Sequence, residues 1–92
     1  MTLPVVWQQS ARDDLTAIIL FVAGESPYAA TSLLASIEAA PLPLSDHPYL
    51  GRSGRVPGTR ELLAHPNYWL VYEVGSASVT ILAVLHARQQ YP

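Results

Sequence analysis

Ninety-two residues, half of them apolar, suffice for a single domain over 1–92 that buries a core without metal or disulfide support. The absence of cysteine excludes thiol nucleophiles and thiolate zinc sites, and a net charge of −2 excludes the strong basic excess of a general nucleic-acid-binding surface. The charge is uneven: residues 1–46 carry five acids against Arg12, while residues 47–92 carry four arginines against Glu61 and Glu73. Lysine is absent, so every positive side chain is a planar guanidinium suited to carboxylate or phosphate.

The opening MTLPVVWQQ has neither a basic n-region nor a long apolar run, so no signal peptide or membrane span is expected, and a cytoplasmic protein is. Residues 3–7 read as a short edge strand, because Pro4 cannot donate to a ladder. Ser10 and Asp13 have capping-box spacing and open a predicted helix that carries Ala11, Leu15, Ile18, Ile19 and Val22 on one stripe and closes at Gly24. Ser26-Pro27 restarts the chain as N-cap and first helical residue. Ala30, Leu33, Leu34 and Ile37 continue that second helix to about Ala40, where Pro41 and Pro43 end it. Its body carries only Glu38, which leaves an outer face poor in charge. Residues 42–58 read as a proline- and glycine-rich loop, and residues 59–64, 68–74 and 79–85 as strands joined by short turns. The expected fold is α+β: an N-terminal strand, an antiparallel helical hairpin, then a three-stranded antiparallel meander, with the helices on one face of a curved sheet.

Arg52, Arg55, Arg60 and Arg88 are candidates for gripping phosphate or an acidic partner, with Arg60 and Arg88 foremost. Arg52 and Arg55 serve equally well to order their loop. His86 at the end of the last strand has the residue type for proton transfer, or for capping the strand end. A metal site is not expected, because His47, His65 and His86 are far apart and no helical i, i+4 pair exists. No cofactor is expected either: Gly51, Gly54 and Gly58 lack the strand-before, helix-after setting of a nucleotide-binding loop. Alternation puts Tyr68, Leu70, Tyr72 and Val74 on one face and Trp69, Val71 and Glu73 on the other, so Trp69 and Val71 would offer a partner surface if the helices cover the first set.

The order of elements, the G-R-x-x-G-T-R-E-L run from Gly54 to Leu62, the P-N-Y-x-L-V-Y run from Pro66 to Tyr72 and the V-L-H-A-R-Q-Q-Y-P ending resemble the RelE/ParE family of bacterial type II toxins. The resemblance implies a cognate antitoxin as partner and one of two targets, DNA gyrase or the ribosome with its mRNA. In nuclease members an arginine precedes the L-V-Y triplet; here Trp69 stands there. The resemblance therefore implies first a gyrase poison, in which Arg60, Trp69, Val71, Arg88 and Tyr91 contact target or partner. The alternative is a ribosome-dependent endonuclease with His86, Arg88 and Arg60 as catalytic groups, and a third reading is a non-toxic homologue that binds antitoxin or regulates its operon. Antiparallel pairing is expected to bring Arg60 and Arg88 to one end of the open sheet face, beside His86.

Overall fold

A computed structural model describes residues 2–89. In chain order the elements are β1 (Val5–Trp7), α1 (Gln9–Glu25), α2 (Pro27–Ala39), a 3-10 turn (Leu42–Ser45), β2 (Arg52–Ser53), β3 (Arg60–His65), β4 (Tyr68–Val74) and β5 (Val79–His86). The sheet runs β1-β5-β4-β3-β2, with β1 parallel to β5 and every other pair antiparallel. The expected meander and hairpin are present. Two features are new: the parallel pairing of β1, and β2 inside what reads as loop. No helix among the described residues is long and apolar enough to cross a membrane.

β1 is short because Pro4 precedes it, yet the Pro4 carbonyl still accepts the Val79 N–H at 2.9 Å. Past Trp7 the edge of β5 has lost its neighbour, and α1 takes over its polar groups. The Gln8 N–H donates to Ile81 O, Ser10 Oγ donates to Leu82 O, and Asp14 Oδ2 accepts the Val84 N–H at 3.0 Å. This corrects the reading of Ser10 as a cap: Gln8 occupies the N-cap position without a side-chain cap, because the unpaired strand edge competes for the hydroxyl. α1 also continues past Gly24 to Glu25. Ser26 alone joins the helices, and its Oγ accepts the Ala29 N–H at 3.1 Å ahead of Pro27.

The core lies between the helices and one face of the sheet. Ile37, Leu44, Leu70 and Ile81 are fully buried there, each contributing about 1.5–3 kcal/mol. Tyr72 is equally buried and keeps its hydroxyl satisfied, donating to Pro48 O and accepting the Gly51 N–H, both at 2.9 Å. A side chain at position 51 would meet that hydroxyl and Glu61 O at 2.7 and 2.6 Å, so the approach requires glycine. Along β5, Ala83 faces Val71 but Ile81 faces Tyr72, so Leu82 is an inserted residue. The insertion shifts parity. Val79, Ile81 and Val84 face the helices, while Ala83 and Leu85 join Val71 in a second cluster on the other side.

Candidate functional site

The uncovered sheet face carries a plate of charged and aromatic groups built on Glu61. That carboxylate is 2% exposed. Its Oε1 accepts Arg52 Nε and Nη2 at 3.3 and 3.0 Å; its Oε2 accepts the Arg55 N–H at 3.2 Å and lies 3.6 Å from Arg55 Nε. The Arg52 guanidinium also covers the Trp69 ring at 4.1 Å from its centroid. β2 exists to make this possible: pairing Arg52 with Glu61 puts both side chains on one face, and Gly54 N–H to Thr59 O, with Gly58 at φ 85°, turns the loop back so that Arg55 returns. Arg52 and Arg55 thus do order their loop, through a buried acid that sequence reading left unassigned. The signal was the two arginines preceding an acid that alternates with core residues on its strand.

Arg60 faces the opposite way and acts as a staple. Its Nε and Nη2 donate to Gly51 O at 3.0 and 2.7 Å, Nη2 also donates to Tyr49 O at 3.2 Å, and the group sits over the Tyr49 ring at 5.3 Å. Trp69 is half-buried on the uncovered face. Val71 lies on that face too, but it is fully buried between Glu61 and Ala83 and presents no surface to a partner.

Arg60, His86 and Arg88 are not brought together. β3 and β5 both run antiparallel to β4 and hence parallel to each other, so the start of β3 and the end of β5 are at opposite ends of the sheet. Arg60 pairs with Tyr72 and His86 with Tyr68, four residues or about 13 Å apart along β4. The Leu82 insertion further turns His86 to the helix side. There its ring meets Tyr68 edge to face at 5.3 Å, and Nδ1 accepts the Arg88 N–H at 3.1 Å, which leaves the ring proton to Nε2. Tyr68 and His86 line a cleft of about 400 Å³ with Asp14, Phe21 and Gln89. Arg88 is exposed in the turn that follows. His65 repeats the pattern at the β3–β4 turn, its Nδ1 accepting the Asn67 N–H at 3.2 Å. Tyr91 lies outside the described residues. Among the described residues no three His, Asp or Glu side chains gather as metal ligands.

The outer side of the helical hairpin carries large exposed apolar side chains among polar ones. A groove of about 500 Å³ runs between α1 and α2, lined by Leu15, Ile19, Leu20 and Leu34 with Arg12 and Glu38 beside them. Leu20, Phe21 and Tyr28 are 69%, 65% and 85% exposed, Leu20 on this groove and Phe21 on the cleft against β5.

A helical hairpin on one side of a mixed five-stranded sheet is also the architecture of the chromosomal ParDE toxin–antitoxin system of P. aeruginosa. That match has a TM-score of 0.81 at 26% identity and covers 92% of this chain and 96% of that one. Residues 5–91 match the family described as the ParE toxin of the type II toxin–antitoxin system parDE, and the chain belongs to that family. It is 39% identical over 87 residues to Y4kP of Sinorhizobium fredii, covering 94% of this chain and 90% of that protein. It is 35% identical over 85 residues to the toxin RelE2 of Caulobacter vibrioides, covering 92% and 96%.

Proposed function

We propose that this toxin is held by a cognate antitoxin in the cytoplasm and, once released, inhibits DNA gyrase rather than cleaving mRNA on the ribosome. The state of the guanidinium groups carries the reading. Cleavage of a phosphodiester requires preorganised donors aimed at the developing charge. Here Arg52 and Arg55 are turned onto Glu61, Arg60 onto backbone carbonyls, and Trp69 fills the position before Leu70-Val71-Tyr72. What remains is a plate of one net positive charge beside an aromatic ring, with Arg88 exposed in a turn at the other end of the sheet, a dispersed set that suits an acidic protein surface better than a phosphate in transition.

One observation favours the nuclease reading instead. His86 stands with Tyr68 in a cleft, where an imidazole is able to move a proton. The antitoxin is supported by the exposed apolar side chains of the hairpin: an amphipathic segment fits the groove between α1 and α2 as a helix and continues extended along the sheet. The deciding experiment sets purified toxin against gyrase supercoiling and, in parallel, against ribosome-primed mRNA. Loss of supercoiling with intact mRNA is expected; ribosome-dependent cuts at codon positions would overturn the reading. Expression without any effect on growth would favour the non-toxic antitoxin-binding or operon-regulating role.

A further inference from the structure

The cleft between α1 and the end of β5 holds a carboxylate without a counter-ion. Asp14 Oδ2 accepts the Val84 N–H, but no donor among the described residues reaches its other oxygen, and both ion pairs among them belong to Glu61. The carboxylate is half-buried in a cleft whose other walls are Phe21, Tyr68 and His86. Tyr68 and His86 stand at 84° to each other and form a corner rather than a stack, and Phe21 is open to solvent across from them. Arginine is the side chain whose chemistry matches this set. Its guanidinium is planar, pairs bidentately with a carboxylate, and lies well against aromatic faces.

We propose that this cleft receives one arginine side chain of the bound antitoxin, paired with Asp14 and packed against Phe21 and Tyr68. Naming the antitoxin as source rests on the function proposed above; the cleft's preference for a guanidinium does not. Asp14→Asn separates charge from architecture, because an amide oxygen still accepts the Val84 N–H while the negative charge is lost.

The test is amide NMR on the isolated toxin titrated with N-acetyl-arginine amide and, separately, with its neutral isostere N-acetyl-citrulline amide. Saturable shifts at Val84, His86 and Gln89 are expected with the arginine probe in the millimolar range, with citrulline binding about 10-fold weaker or worse. Asp14→Asn should lose the arginine preference while Val84 keeps its exchange protection, and Phe21→Ala should weaken the probe with Asp14 intact. Equal binding of the two probes, shifts centred on Trp69 and Glu61, or an unaltered preference in Asp14→Asn would each overturn the proposal. A guanidinium-selective cleft in a protein that captures no antitoxin on co-expression would leave the cleft assignment standing and remove only its source.

Discussion

On the uncovered face of the sheet a buried carboxylate meets two guanidinium groups; on the helix-covered face, one residue along β4, a half-buried carboxylate meets none. The difference follows from burial. Glu61 is shut away from water, where a carboxylate without partners is costly, and β2 and the following turn bring Arg52 and Arg55 to it. Asp14 keeps contact with solvent and spends one oxygen on a strand edge, so nothing within the fold compels a second partner. Clusters closed on themselves mainly hold the structure, whereas groups left open mark where another molecule adds what is missing. If that holds, the plate should govern stability and the cleft should govern recognition.

The sharpest way to break the comparison is to strip the plate. Replacing Arg52 and Arg55 together with alanine removes both cationic partners of Glu61 and leaves it one backbone N–H; with water gaining access where the half-exposed guanidiniums stood, the loss in urea unfolding should be about 3 kcal/mol. Asp14→Asn should stay within about 1 kcal/mol of the wild type in the same assay, because the Val84 hydrogen bond survives. A double arginine variant as stable as Asp14→Asn would mean that the plate is solvated surface after all.

A smaller effect is expected at Arg60. Its alanine variant gives up three hydrogen bonds to Tyr49 O and Gly51 O, and about 1–3 kcal/mol should follow for a partly buried charged donor. Toxicity should fall only as far as the folded fraction does. Full stability with abolished toxicity would return Arg60 to the target-contact role that its position in the G-T-R-E-L run suggests.

Much of the fold was legible beforehand; the plate and the cleft were not, and for a common cause. Strands β3, β4 and β5 announce themselves through apolar alternation between short turns, and Ser26-Pro27 marks the start of α2 by local chemistry alone. What sequence reading missed depends on partners far along the chain. Ser10 reads as a helix cap until the end of β1 leaves Leu82 O without a donor, 72 residues away. Leu82 itself looks like any strand residue, yet its insertion sends His86 to the helices instead of the open face. Glu61 looks like a surface acid because β2, which buries it, is only two residues long and lies in a loop-like stretch. Arg60 and Arg88 seemed neighbours because the relative direction of β3 and β5 was not carried through their common partner.

The smallest expected effect on stability, and the finest discrimination of mechanism, belongs to His86. Alanine there removes the Nδ1 acceptor of the Arg88 N–H and an edge-to-face contact with Tyr68. Both lie near an exposed turn where water replaces the lost hydrogen bond, so about 1 kcal/mol or less is expected. Function separates the readings where stability does not. For a gyrase poison that works through its surface, His86→Ala should change target binding and growth arrest together and only modestly, as Arg88→Ala should. For a nuclease, the imidazole moves the proton and Arg88 steadies the phosphate, so His86→Ala should still bind its target but lose turnover. Binding and activity measured side by side on the two variants therefore test the cleft as well. A His86→Ala toxin that binds fully yet has lost all toxicity would make the cleft a reaction site, and the gyrase reading would fall with it.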